Sequence, residues 1–351
     1  MSSAVFSGPT LVVDNLQTHF ASRSGIAKAV DGVSFTVQPG QIMGLVGESG
    51  SGKSMTGFSI MGLVDKPGEV VGGSIKLKGQ ELRGLEPEAM RQVRGNRIAM
   101  IFQDPMMTLN PVLRIDTQMM EAIFAHHPGM TSDVARDRSR KALVKVGIAS
   151  PDERLLAYPH QFSGGMRQRV AIAIALLNQP DLIICDEPTT ALDVTIQGQI
   201  LYEMQKLCRE SGTALIWITH DLSVVAGLAD TVCVMYAGKI VESGTALQVL
   251  EQPRHPYTHG LIGSAPSRNA HGQPLRQIPG MTPSLLKLPS GCAFRERCSR
   301  ATEQCKSPPP LEMVKEVDNP CAPPHALRCF HPVSDAAIQA VAISASAGET
   351  A

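Results

Sequence analysis

What the sequence has least of is aromatic surface and unbalanced charge. Only 4% of its 351 residues are aromatic, and 32 Lys and Arg are balanced by 32 Asp and Glu. Without a basic surplus there is no electrostatic footprint for a phosphate backbone, and without aromatics there is no platform on which single-stranded bases stack, so nucleic acid is not the expected partner. Long apolar runs are also missing. The longest, Val170 to Leu177, falls far short of the roughly 20 residues needed to cross a bilayer. The N-terminal stretch MSSAVFSGPTLVVDN has no basic segment leading into an apolar one, its first Lys or Arg being Arg23, which predicts no secretory signal and a chain that stays in the cytosol.

Cysteine is present but unevenly spread. Cys185, Cys208 and Cys233 are scattered, whereas Cys292, Cys298, Cys305, Cys321 and Cys329 crowd together near the end. In a reducing compartment paired disulfides are not expected, so the late group reads either as ligands of a metal or cofactor or as five unrelated thiols. Composition changes at about residue 252, where QPRHPYTHG opens a proline-rich stretch in which regular elements thin out. From 333 to 351 the chain is small and weakly patterned and is predicted to be a disordered tail.

Before residue 252 the β-branched runs Leu11–Val13, Val33–Val37, Ile42–Val46, Leu182–Cys185, Ala214–Thr219 and Thr231–Tyr236 alternate with helical stretches. That pattern predicts an α/β fold with a buried, largely parallel sheet and an antiparallel N-terminal portion. Between about 104 and 160 the strand signal gives way to helical spacing, for example over Thr117–Ala125 and Ser132–Val146, which reads as a helical insertion.

The sharpest chemical signal is Gly47-Glu48-Ser49-Gly50-Ser51-Gly52-Lys53-Ser54, which fits G-x-x-x-x-G-K-[ST] directly after the apolar strand IMGLV. Small residues let successive backbone N–H groups turn inward around phosphate oxygens at a helix N-terminus. Lys53 then reaches the β- and γ-phosphates and Ser54 offers its hydroxyl to Mg²⁺. A second candidate is Leu182-Ile183-Ile184-Cys185-Asp186-Glu187. It reads as a buried strand with two carboxylates at its carboxyl end, where open α/β sheets place their ligands. Asp186 would hold Mg²⁺ and Glu187 would polarise the attacking water.

Phe162-Ser163-Gly164-Gly165-Met166-Arg167-Gln168-Arg169, just upstream of that strand, adds a second glycine motif. Together with Gln103 in IFQDP, the turn Ala191-Leu192-Asp193 and His220 after ALIWIT, it makes residues 10–250 resemble the ATP-binding cassette of ABC transporters. The resemblance implies a P-loop NTPase fold with a RecA-like core, an antiparallel β subdomain and a helical subdomain. It implies that Phe20 stacks on adenine, although an aromatic at a strand end also serves simple packing. It further implies that Gln103 links Mg²⁺ and the γ-phosphate to the helical subdomain, and that His220 contacts the γ-phosphate. Ser163, Gly164 and Gly165 would complete the ATP site of the opposite subunit in a head-to-tail pair. Phe162 stands where the family has leucine, a change of apolar bulk that leaves the serine and glycines in place.

The tail narrows the family. His255-Pro256-Tyr257-Thr258, Ile278-Pro279-Gly280, Leu288-Pro289 and Gly291-Cys292-Ala293-Phe294 are similar to the C-terminal extension of the oligopeptide/dipeptide importer ATPases. Exporters with a fused membrane segment and soluble twin-cassette or coiled-coil members fit less well. The implied domains are a cassette over 10–252, with its helical subdomain at about 104–160, and an extension over 253–332. Implied partners are two permeases, a second and non-identical ATPase and, indirectly, an extracytoplasmic binding protein, with the chain peripheral at the cytoplasmic side of the inner membrane. The cargo implied is di- or oligopeptides, with nickel chelates and other small solutes as the alternative. In that family cysteines matching Cys292, Cys298, Cys305 and Cys329 ligate a [4Fe–4S] cluster; Cys321 is extra, and zinc is the chemical alternative.

Overall fold

The computed structural model describes residues 7–104, 108–189, 194–265, 269, 276–314 and 324–335. The chain opens with β1 (Leu11–Ser22) and β2 (Gly25–Val37), followed by β3 (Ile42–Val46) and α1 (Lys53–Met61). Next come β4 (Gly68–Leu77), β5 (Gln80–Glu81), α2 (Pro87–Val93) and β6 (Ile98–Ile101). β1 pairs antiparallel with both β2 and β4, giving a four-stranded sheet in the order β2-β1-β4-β5. Its inward residues, including Leu11, Val13, Leu16, Val30, Val33 and Ile75, pack with Leu45, Ile60, Ile216 and Ile218, so one face is apolar and the other solvated.

Helices α3 (Ile115–Phe124), α4 (Ser132–Lys145) and α5 (Pro151–Leu155) follow β6, and α6 (Gly164–Leu176) leads into β7 (Leu182–Asp186). Ile115, Met119 and Ile123 of α3 meet Leu143 of α4 and Val170 of α6, and the same core continues to Ile183 and Trp217. Helical periodicity thus buries one stripe of each helix against the next. The remaining elements are α7 (Val194–Ser211), β8 (Ala214–Thr219), α8 (Leu222–Leu228), β9 (Thr231–Tyr236), β10 (Lys239–Thr245), α9 (Ala246–Glu251), α10 (Pro256–Gly263), β11 (Glu312–Met313) and β12 (Ala326–Leu327).

The second sheet has eight strands in the order β11-β12-β10-β9-β3-β8-β7-β6. From β9 through β6 neighbours run parallel. Every residue of β3, β6, β7 and β8 is buried, as expected where helices cover both faces. Parallel strands place their carboxyl ends on one edge, so the segments after β3, β6, β7 and β8 emerge side by side. Those segments are the phosphate loop, Gln103, Asp186–Glu187 and His220.

The proline-rich extension is part of this sheet. β12 pairs with β10 at Glu242↔Leu327 and Ser243↔Ala326, and β11 pairs with β12. Beneath this edge Glu242, fully buried, accepts from the Arg254 amide (2.7 Å), from His325 Nε2 (2.8 Å) and from the His255 amide (3.0 Å). A buried carboxylate is tolerable only when satisfied in this way. Val333 is buried and donates its amide to the Arg254 carbonyl at 2.8 Å, while Asp335 pairs with Arg254 at 2.6 Å. The segment expected to form a disordered tail, 333–351, thus begins with three described residues held on Arg254; 336–351 lie outside the described residues.

His255 begins α10: its Nδ1 accepts the Tyr257 amide at 3.0 Å, and Pro256 follows at the first helical position. Burial pushes the imidazole down to about 4, against the opposing pull of Glu242. A histidine held neutral in the fold contributes stability that is complete above its ordinary value of about 6.5 and is lost as pH falls toward 4. Lowering pH from 7.5 to 5 is expected to cost about 2 kcal/mol through this group. His255→Asn keeps a capping acceptor but does not titrate, so its unfolding midpoint should fall less over the same pH range in thermal denaturation.

Candidate functional site

The phosphate loop turns from β3 into α1 only because two of its glycines have no Cβ. Gly47 has φ +149° and a Cβ there would lie 2.3 Å from the Met235 carbonyl oxygen; Gly52 has φ +106° and its Cβ would lie 2.3 Å from that of Ala29. The loop is thus pressed between β9 and β2. Lys53 folds back into it, Nζ donating to the carbonyls of Gly47 (2.8 Å) and Glu48 (3.0 Å). Burial lowers the Lys53 pKa, while Glu187, Asp186 and Glu48 oppose that shift. An ammonium poised in this way gains from any anion that enters the loop.

Ser54, one residue into α1, donates Oγ to Asp186 Oδ1 at 2.9 Å. Asp186 is raised by burial, with the Ser54 hydrogen bond and Lys53 pulling it down and Glu187 pushing it up. A cation placed there would relieve that desolvation, and the donors are hard oxygens of the kind Mg²⁺ takes.

Glu187 sits just past β7 with φ +47°, an uncommon conformation for a residue with a side chain. Its amide is tied to the Ile218 carbonyl at 2.9 Å. Gln103 Nε2 donates to Oε2 at 3.2 Å, and His220 Nδ1 lies 3.0 Å from Oε1. One carboxylate is therefore held from the segment after β6 and from the segment after β8. Strained backbone and a doubly held carboxylate are what positioning a base requires.

Ser163 caps α6, its Oγ accepting the Met166 amide at 3.3 Å. Among the described residues, apart from its chain neighbours and the backbone of α6 itself, nothing lies within 4 Å of the position a Gly164 Cβ would take. Phe20 lies on β1 opposite Ala27, two residues along β2 from the Ala29 that abuts Gly52. Its ring packs so closely over Gly68 that a Cβ there would come within 2.5 Å, with Val64 alongside. Packing is the role visible for Phe20. The turn Ala191-Leu192-Asp193 and Cys321 lie outside the described residues.

Cys292, Cys298, Cys305 and Cys329 line one small cavity with Phe294, Phe330 and His331. The described cysteines are free, and burial raises the pKa of Cys292, Cys298 and Cys329, the last to about 11. Among the described residues no group of three or more His, Cys, Asp or Glu stands close enough to hold a single metal ion. A lone zinc, which needs its sulfurs about 2.3 Å from one point, does not fit as the thiols stand.

Three residues of the extension also reach the loop. Tyr257 Oη accepts the Glu48 amide at 2.8 Å, and Arg297 and Thr282 both bind the Glu48 carboxylate. Their only mark in the sequence is Tyr257 in HPYT; Thr282 and Arg297 lie over two hundred positions from the loop, with no periodic signal to connect them.

Residues 30–190 match the ABC transporter family and residues 241–305 match the oligopeptide/dipeptide transporter C-terminal region. The oligopeptide transport ATP-binding protein OppD of Salmonella typhimurium is 46% identical over 93% of this chain and 94% of its own. The dipeptide transport ATP-binding protein DppD of Escherichia coli is 44% identical over 93% and 98%. Among solved structures, a dimeric ATP-binding cassette in a post-hydrolysis state with ADP and Pi aligns with TM-score 0.61 at 27% identity, covering 67% of this chain and 98% of that one. With the site grouped on one sheet edge and relatives matched over nearly their whole length, the chain belongs to the ATP-binding proteins of ABC transporters, in the oligopeptide/dipeptide transport family.

Proposed function

We propose that the chain is the ATP-hydrolysing subunit of an importer that takes up di- or oligopeptides through two partner permeases. The observation that carries the chemistry is Glu187 held between Gln103 and His220, beside the Ser54–Asp186 pair and the Lys53 loop. The names of the relatives carry the cargo class.

In this reading Gly47–Ser54 bind the phosphates of ATP through backbone N–H groups, with Lys53 exchanging its loop carbonyls for phosphate oxygens. Ser54, Asp186 and Gln103 would hold Mg²⁺, which supplies charge neutralisation across the phosphates when bound. Glu187 takes the proton of the attacking water, and His220, beside it, reads the γ-phosphate. Phe20 is proposed to face adenine. Ser163, Gly164 and Gly165 are proposed to close on the ATP of a second, non-identical cassette, so that ATP favours the closed pair and hydrolysis releases it.

The proposed boundaries are a cassette at 10–252, with a helical subdomain at about 104–160 that docks the permeases, and an extension at 253–332. No helix among the described residues is long and apolar enough to cross a membrane, which suits a chain held peripherally at the cytoplasmic face by protein contacts. The four thiols on one cavity support a [4Fe–4S] cluster in number and softness of donors. Affinity purification from gently solubilised membranes tests the reading. Two permeases and a second ATPase should co-purify, in a preparation brown when kept anaerobic. Recovery of the chain alone would overturn the assembly, and a colourless preparation the cluster.

A further inference from the structure

The second residue of the phosphate loop is gripped by the extension. Arg297 lies in a single turn, Arg295–Arg297, and is 8% exposed. It meets the Glu48 carboxylate as a fork, Nη1 to Oε2 at 2.6 Å and Nη2 to Oε1 at 3.0 Å. Thr282 Oγ1 donates to the same Oε2 at 2.8 Å. Arg297 Nε is anchored on the Pro279 carbonyl at 2.9 Å, and the guanidinium lies 5.8 Å from the ring centres of both Tyr236 and Phe294. The Arg297 hydrogen bond is the main cause of a lowered Glu48 pKa, with Thr282 adding to it against desolvation. The Glu48 backbone is held as well, its amide on Tyr257 Oη and its carbonyl on Lys53 Nζ.

A carboxylate in a loop built to bind polyanions is an electrostatic liability unless a cation neutralises it. A planar fork does so while also fixing where the side chain points. We propose that Arg297, assisted by Thr282 and Tyr257, is a positioning residue for ATP: the extension neutralises Glu48 and holds the loop backbone in its phosphate-binding shape, so residues far from the cassette motifs set ATP affinity. Arg297 hydrogen-bonds to Glu48, Thr282, Pro279 and Tyr236, so its expected effect is on binding rather than on the chemical step.

This inference rests on reading residues 47–54 as the phosphate loop. ATP KM and kcat of the full chain in its membrane assembly test it. Arg297→Ala should raise KM about tenfold or more, with kcat within about twofold. Adding Glu48→Gln, which removes the exposed charge, should recover most of that loss; an anchoring role in the extension alone would not be rescued. Arg297→Lys, which keeps the charge without the fork and perturbs folding least, should raise KM several-fold. Unchanged KM in Arg297→Lys and Arg297→Ala, or a double variant no better than Arg297→Ala, overturns the proposal. If Lys53→Ala also leaves KM unchanged, the loop reading itself has failed.

Discussion

Glu187→Gln is expected to lower ATP turnover by about 10²- to 10⁴-fold while leaving ATP affinity nearly intact. The amide is isosteric and keeps contacts with Gln103 and His220, which lie at 3.2 and 3.0 Å from the two carboxylate oxygens. It cannot take a proton from water. The groups proposed to bind phosphate, Lys53 and the loop amides, are untouched. In the proposed cycle ATP stabilises a closed pair of cassettes and hydrolysis releases it, so this variant should accumulate as an ATP-bound dimer of cassettes. Single-turnover hydrolysis together with nucleotide-dependent size measurement checks both halves, and near-normal turnover would remove Glu187 from the role of base.

Lys53→Ala is expected to do the opposite, weakening affinity before chemistry is reached. Its ammonium spans the loop between the Gly47 and Glu48 carbonyls, and the residue is 5% exposed. Losing a buried, hydrogen-bonded charge opposite an anion costs about 2–4 kcal/mol, or roughly 30- to 1000-fold in ATP dissociation constant. Burial already lowers the Lys53 pKa, so much of its desolvation is borne before ATP arrives and the phosphate contact is not offset by it. Equilibrium nucleotide binding reads the effect directly. Together the two variants separate binding from hydrolysis, and a Lys53→Ala chain that binds ATP normally would contradict the site.

The sheet was legible wherever burial on both faces left a continuous apolar run. Ile42–Val46, Ala214–Thr219 and Thr231–Tyr236 form strands with the bounds expected. The N-terminal strands run much longer than their apolar signals, β1 to Ser22 and β2 from Gly25, because one face is solvated and its polar residues hide the strand. β4, with Gly72 and Gly73 in its middle, and the two-residue strands of the extension carry too few side chains to show a period. The 47–54 loop and the Asp186–Glu187 pair stand out in the sequence because their spacing is local. Arg297 and Thr282 do not, because a side chain that reaches Glu48 from an irregular segment leaves no pattern. The scarcity of aromatics acquires a meaning in the fold: Tyr236, Tyr257 and Phe294 pack in tilted and edge-to-face pairs, ring centroids within 5.4 Å of one another, where the extension meets the cassette. A composition too poor in aromatics for nucleic acid places three of them at that junction, where such pairs add about 0.5–1.5 kcal/mol each.

The central claim, that ATP hydrolysis at this site drives peptide import, is tested most directly by labelled-peptide uptake into vesicles carrying the purified assembly with ATP on the side of the cassettes. Uptake should require ATP and fall with turnover when Glu187→Gln replaces the native chain. Uptake that persists at the native rate with that variant would contradict it.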